Sequence, residues 1–268
     1  MIKQISIIGC GWLGFPLAKK LTKKGYTIKG STTSTDKIEE LKSENIQPFL
    51  IRLNTVEIEG DINRFLEQSD LVIINVPPGL RRNPNKNHVR EIELLVEAII
   101  ENGVKNVIYV SSTSVFKDEA IIPTISDIDQ PNNFEGSKQL IDIENLLMGN
   151  NAFNTCILRF GGLIDETRHP GNYLAGKTDL ANPDAPINLI HKEDCIAILS
   201  EIVVKGLFNT QFNAVYPHHA SRSDYYKDYA SHNNLKAPQF KLDEVSKGKI
   251  VDSLKLVRLL NYEFKHAP

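Results

Sequence analysis

The residues best placed to do chemistry begin with a loop that has few side chains. Gly9-Cys10-Gly11-Trp12-Leu13-Gly14 spaces three glycines as GxGxxG. The first glycine of such a loop permits a tight turn, and the second lets backbone approach a pyrophosphate. The third lets a helix pack closely on a strand. The implied chemistry is phosphate binding by backbone N–H groups at the positive end of a helix. A second group is the hydroxyl run Ser111-Ser112-Thr113-Ser114. It could hold a substrate carbonyl or hydroxyl, or simply end a strand by bonding to local backbone. A third is Arg168-His169, in a loop rich in glycine and proline. The pair could meet an anionic substrate or the nicotinamide side of a cofactor, or be ordinary loop surface.

These groups need elements to position them. Ile5-Ser6-Ile7-Ile8 ahead of the glycines reads as a buried strand, and apolar residues recur after them at helical spacing. Strand, glycine turn and helix in that order open a dinucleotide-binding βαβ unit. Further strands are predicted over residues 27–31, 48–52, 71–76, 107–110 and 155–160. Helices are predicted over 36–45, capped near Ser34 or Thr35, and over 61–68, 87–102 and 134–148. The alternation predicts an α/β fold, a doubly wound parallel sheet of the Rossmann type over residues 1–160. Beyond residue 161, Gly161-Gly162, Pro170-Gly171, Pro183 and Pro186 break the pattern. Residues 161–268 then read as a smaller mixed α/β substrate-side lobe, partly interleaved with the first. Helices fall over 192–204 and 222–233, with a strand over 211–215.

Composition narrows the partners. The 268 residues are 41% hydrophobic and 24% charged, with a net charge of −2. Nothing in that balance favours nucleic acid or an anionic membrane, and no apolar run reaches the length of a membrane span. The chain starts directly on strand and glycine loop, so no signal peptide is expected. Cys10, Cys156 and Cys195 are scattered in apolar surroundings, which fits a reducing cytoplasm and suggests neither disulfides nor a metal site.

Several further segments carry a family resemblance. They are Val76-Pro77-Pro78-Gly79, Ser111 to Phe116, Leu158-Arg159-Phe160-Gly161-Gly162, Arg168-His169-Pro170-Gly171 and Asn188-Leu189-Ile190-His191-Lys192-Glu193-Asp194. With the glycine loop, and in this order over nearly the whole length, they resemble an extended, atypical short-chain dehydrogenase/reductase of the NAD-dependent epimerase/dehydratase kind. The resemblance implies a hydroxyl residue after the fifth strand and a Tyr-x-x-x-Lys pair in the next helix. The tyrosine would exchange a proton with the substrate oxygen while hydride moves to or from the nicotinamide. The lysine would bind the nicotinamide ribose and lower the tyrosine pKa. Ser112 matches the hydroxyl position, with Thr113 beside it, and Lys138 matches the lysine.

The tyrosine position is Phe134, within Phe134-Glu135-Gly136-Ser137-Lys138. Phenylalanine keeps the ring and loses the ionisable proton, so the family's acid/base step cannot run there. A second match, Tyr173-Leu174-Ala175-Gly176-Lys177, falls in the loop region and reads as a chance recurrence. Asp194, near a helix start, suits capping and stabilisation of the helix dipole.

The cofactor side is expected to comprise Gly9, Gly11, Trp12, Leu13, Gly14, Ser31, Thr32, Thr33, Val76, Pro77 and Lys138. No carboxylate precedes Asp36 after the second strand, where an NAD enzyme would hold a ribose 2′-hydroxyl. Hydroxyls there, with Lys29 or Lys37 nearby, favour NADP over NAD. The expectation is an NAD(P)-binding oxidoreductase or epimerase/dehydratase-like protein acting on a small polar, sugar-derived molecule. A homodimer through the helices over 87–102 and 134–148 follows from the resemblance. The competing expectation, raised by Phe134, is a catalytically silent NAD(P)-binding sensor or regulator.

Overall fold

A computed structural model describes residues 2–80, 83–132 and 134–268. Its seven-stranded sheet comprises β1 (Gln4–Ile8), β2 (Thr27–Thr32), β3 (Ile46–Leu50), β4 (Leu71–Ile74), β5 (Asn106–Ser112), β6 (Asn154–Phe160) and β7 (Thr210–Ala214). The order is β7-β6-β5-β4-β1-β2-β3. β1 pairs in parallel with β2 on one side and β4 on the other, so strand order reverses beside β1. That reversal opens a crevice at the carboxyl ends of β1 and β4, where doubly wound sheets bind ligands. The expected α/β fold class is the one found.

The strand interiors explain the sheet. Ile5, Ile7, Ile8, the whole of β4 and Val107-Ile108 are buried, as continuous apolar runs in a sheet covered on both faces must be. β3 begins two residues earlier than predicted because its register is set by β2, with Ile28 opposite Ile46 and Thr32 opposite Leu50. Pro48 is tolerated there because β3 lies at the sheet edge.

The helices are α1 (Gly14–Lys23), α2 (Lys37–Ser43), α3 (Ile62–Leu66), α4 (His88–Glu101), α5 (Lys138–Met148), α6 (Pro170–Leu174), α7 (Lys192–Lys205), α8 (Arg222–His232) and α9 (Leu254–Leu260). α1 buries Leu17, Ala18 and Leu21, while α4 buries Ile92, Leu95, Val96 and Ile99; Ile100, expected on the same face of α4, is exposed. Truncating one such leucine to alanine costs about 2–5 kcal/mol. Asn87 caps α4 by accepting from the Arg90 N–H at 3.0 Å. Neither Ser34 nor Thr35 caps α2; Asp36 occupies that position and makes no side-chain cap bond.

The chain divides into two units. One contains Met1–Ser111, Lys138–Leu158 and Ile196–Gln211; the other contains Ser112–Ser137, Arg159–Cys195 and Phe212–Pro268. The loop 112–137 falls with the second unit, and most of α7 falls with the first. The second unit has an apolar cluster of Ile164, Ile187, Leu189 and Tyr226. Gly162–Ile164 pairs in parallel with Leu189–His191, and Thr124–Ile125 with Ile250–Val251.

Candidate functional site

In the first unit the glycine loop is built as its spacing implied. Gly9 has φ +96°, and a Cβ there would lie 2.4 Å from the Asn75 carbonyl oxygen, so only glycine fits. A Cβ on Gly14 would sit 2.2 Å from the Gly9 oxygen, so α1 packs directly beneath the turn. A Cβ on Gly11 would meet nothing within 4 Å. Gly11 therefore borders open space, which is what a phosphate approaching bare backbone requires. Leu13 precedes α1 without a side-chain cap, and no acidic residue stands in the first turn. The positive end of α1 is left for an external anion. These features fit a dinucleotide.

Neighbouring strands hold the loop. The Gly9 N–H donates to Ser31 Oγ at 2.9 Å, and the Cys10 N–H to the Ser31 oxygen at 2.8 Å. Asn75 Nδ2 donates to the Gly9 oxygen at 3.0 Å. Asn75 was not singled out in the sequence; a polar residue directly after an apolar strand was the available signal. Val76 is half-buried beside Gly9, and Pro77 is exposed. Trp12 is half-buried. Leu13 is in the core, so of the expected lining residues it offers backbone alone.

The hydroxyl cluster after β2 is used differently from the expectation. Ser31 is buried and shapes the glycine loop, while Thr32 Oγ1 accepts from the Ser34 N–H at 3.1 Å. Thr33 is the exposed member of the three. Lys29 cannot serve a ribose phosphate: its Nζ donates to the Arg64 and Glu67 carbonyls, each at 2.7 Å, closing the end of α3. Burial holds the Lys29 amine below its ordinary pKa. Lys37 is exposed at the start of α2, and its charge reaches Cys10. Burial pushes the Cys10 thiol up to about 12 against the Ser31 backbone bond and Lys37, so the thiol is inert.

Lys138 is exposed and is the first residue of α5. The helix starts four residues later than predicted, so Phe134 and Lys138 do not share a helix face. The reason is local: the Ser137 N–H and hydroxyl both bond to the Phe134 carbonyl, and the hydroxyl also reaches the Asn132 carbonyl. These bonds hold a turn where the first helical turn was expected. The ring of Phe134 lies over Gly136, whose Cβ would come within 3.1 Å of it. At the end of β5, Ser111 donates to the buried Glu144 of α5, a partner the sequence did not signal.

In the second unit Ser112 is half-buried and accepts from the Ser114 N–H at 3.1 Å, starting the single helical turn Thr113–Val115. Thr113 is buried. Arg168 is exposed, while His169 is buried and has both ring nitrogens engaged. Its Nδ1 accepts from the Gly171 N–H at 3.0 Å, capping α6, and Nε2 meets Tyr225 Oη at 2.8 Å. Its ring stacks on Tyr229, with centroids 3.8 Å apart. Burial lowers its pKa to about 4. The structure thus gives His169 a packing role in place of the expected ligand contact.

Beside it, Asp165 accepts from Lys192 Nζ at 2.6 Å and from the Thr167 and Arg168 N–H groups. Burial acts to raise the Asp165 carboxyl, yet the Lys192 ammonium, the Thr167 hydroxyl and those N–H groups outweigh it and hold the carboxyl well below the usual range. Asp194 lies in the first turn of α7, where a carboxylate suits the helix dipole, but capping is not its main role. It holds the C-terminal segment, accepting from Tyr262 Oη at 2.6 Å and from the N–H groups of Lys265 and His266. Among the described residues no cluster of His, Cys, Asp and Glu has the makings of a metal site. No helix of the described residues is long and apolar enough to cross a membrane.

The fold and loop define an α/β nucleotide-binding protein of the doubly wound class, and the comparisons agree. Residues 4–122 match the family described as the NAD binding domain of 6-phosphogluconate dehydrogenase, which supports NAD(P) binding. Over 99% of its length the chain is 29% identical to Protein YeeZ of Escherichia coli K12, covering 97% of that protein. Among solved structures it resembles UDP-glucose 4-epimerase of Thermotoga maritima with UDP-glucose, at TM-score 0.80 and 16% identity, covering 98% of this chain and 94% of that one. It also resembles UDP-glucuronic acid 4-epimerase of Bacillus cereus in complex with NAD, at TM-score 0.77 and 18% identity, with the same coverage. At those identities the two structures speak for the fold. Over nearly its whole length the chain is similar to Protein YeeZ, and its fold is the one those two epimerase structures share.

Proposed function

We propose that the chain binds NADP at the glycine loop and turns over a small polar, sugar-derived substrate. The observation that carries the cofactor half is the cradle itself: open space at Gly11 beside an uncapped, acid-free helix start. When bound, the nicotinamide would accept or give hydride. Gly9, Gly11 and Gly14 admit the pyrophosphate, with Trp12, Val76 and Pro77 along its path, and Lys138 holds a ribose. The preference for NADP is supported by the lack of any carboxylate from Gly30 to Thr35, with exposed Thr33 and Lys37 in its place. The preference no longer draws on Lys29.

Ser112 and Thr113 orient the reacting oxygen, and Arg168 supplies positive charge toward an anionic substrate group. Phe134 supplies no proton, so the acid/base group is elsewhere or absent. That one residue also favours a second reading, a dinucleotide-binding sensor without turnover. A cytoplasmic homodimer through α4 and α5 completes the proposal.

Titration of NADPH and NADH, followed by the emission of Trp12, the single tryptophan, tests the binding step. Saturation by NADPH at lower concentration than by NADH is expected, and no response at millimolar concentrations of either would sink both readings. A panel of carbonyls and sugar nucleotides then separates them. Turnover that drops in Ser112→Ala supports the enzyme, and no turnover by the wild type or by Phe134→Tyr supports the sensor.

A further inference from the structure

A continuous run of hydrogen bonds in the first unit links two segments that the cofactor reading treats separately. After β4 the backbone leaves through Asn75, Val76 and Pro77. The Gly79 oxygen then accepts from the Asn83 N–H at 3.1 Å, and the Asn83 oxygen from the Lys86 N–H at 3.1 Å. The Lys86 oxygen accepts from Gln139 Nε2 at 2.9 Å, and Gln139 Oε1 accepts from the His88 N–H at 2.7 Å. Gln139 directly follows Lys138. One side chain thus clamps the loop after β4 and the start of α4 to the start of α5.

The histidine in this joint is itself held. His88 is 1% exposed, with Nδ1 at 2.8 Å from Glu91 Oε2, and the same oxygen meets Lys86 Nζ at 2.9 Å. A carboxylate only accepts, so Nδ1 carries the hydrogen and Nε2 is left as an acceptor. Nε2 is buried and has no hydrogen-bond partner.

We propose that Gln139 and His88 are positioning residues: they fix the loop carrying Val76 and Pro77 relative to Lys138, and so set the nicotinamide-side half of the dinucleotide site. This rests on the dinucleotide reading given above. The glycine loop, which holds the pyrophosphate, is tied separately through Ser31 and Asn75. Breaking the joint therefore weakens contacts to the nicotinamide ribose and spares those to the phosphates. The joint is also acid-sensitive. A proton on Nε2 would place a charge in a buried position with no acceptor. Burial accordingly holds the His88 pKa below its ordinary value, with Glu91 opposing and Lys86 assisting. Those two charges face the ring, and α5 contributes the Gln139 amide.

The test compares a nicotinamide dinucleotide with ADP, which has the pyrophosphate and lacks the second ribose. In Gln139→Leu the dinucleotide is expected to bind about tenfold more weakly, with ADP changed less than about twofold. Gln139→Glu, which still accepts from the His88 N–H, should fall between, and it serves if the leucine variant folds poorly. Wild-type dinucleotide affinity should hold from pH 7.5 to 6.5 and decline only as pH falls further below that, and His88→Asn should flatten the decline. Equal weakening of both ligands, or of neither, overturns the joint while leaving the dinucleotide reading intact. If the wild type binds neither ligand, the dinucleotide reading fails and the joint with it.

Discussion

The glycine loop of the first unit and the 165–194 region of the second handle polarity in opposite ways. In the first, the candidate binding surface is backbone: glycines with no side chain, an uncapped helix start, and hydroxyls turned inward to hold the turn. In the second, the polar side chains bind one another. Asp165 is closed by Lys192, His169 by Tyr225 and Gly171, and Asp194 by the C-terminal segment. A backbone site is specified by a few residues close in sequence. A side-chain network is specified by residues tens of positions apart, such as Asp194 with Tyr262 and His266. The first kind is legible as a motif; the second emerges only on folding.

The contrast can be broken most severely at the glycines. Gly9→Ala should cost about 3 kcal/mol of stability, since it combines a strained φ with a clash against the Asn75 carbonyl. NADPH binding should be lost with it, by denaturant unfolding and Trp12 titration. Gly11→Ala should separate the two effects. Stability should stay within about 1 kcal/mol, because nothing lies near the new methyl, while NADPH binding weakens at least about tenfold. Equal binding by Gly11→Ala and wild type would remove the cradle from the site.

The second unit should respond in stability first. Asp194→Ala removes the acceptor of three hydrogen bonds and should cost about 3 kcal/mol, with amide exchange at residues 262–266 rising sharply. A smaller, pH-dependent pair of effects comes from two buried groups. His169 drops from the ordinary 6.5 to about 4, so the unfolded chain takes up this proton first. Its contribution is present above about pH 6.5 and is lost as pH falls toward 4, by roughly 2–3 kcal/mol. Asp127 moves the other way. Burial raises it from 3.8 to about 6, against the Asn213 N–H bond and the Lys255 charge. The folded state keeps this proton longer, so its contribution declines as pH rises from about 4 through 6. Asp127→Asn keeps an acceptor for the Asn213 N–H, and it should gain roughly 1–2 kcal/mol over wild type at pH 8 and nothing below pH 4. The two effects oppose each other between about pH 4 and 6.5 and flatten the wild-type profile. The difference between Asp127→Asn and wild type in unfolding curves across pH 4–8 therefore isolates the carboxyl, and a difference that does not grow with pH would overturn it.

Much of the first unit was readable in advance. The strand interiors and the apolar stripes of α1 and α4 follow from short-range pattern. The start of α5 was not, because Ser137 bonds back to the Phe134 and Asn132 carbonyls and holds a turn against helical propensity. Ser31, Thr32 and Lys29 were read as facing a ribose, yet their orientation depends on which strand or helix end packs beside β2. The same holds for Glu144 and Gln139, ordinary helix residues until α5 brings them to Ser111 and to the Lys86–His88 segment.

Sequence alone determined the sheet class and the glycine cradle. Each rests on residue type and on spacings of a few residues, and local sterics and periodicity suffice to read them. Only the tertiary structure decided which hydroxyls and cations are left to meet a ligand. That outcome depends on partners distant in the chain: the α3 carbonyls that take Lys29, the tyrosine that takes His169, and the tail that takes Asp194.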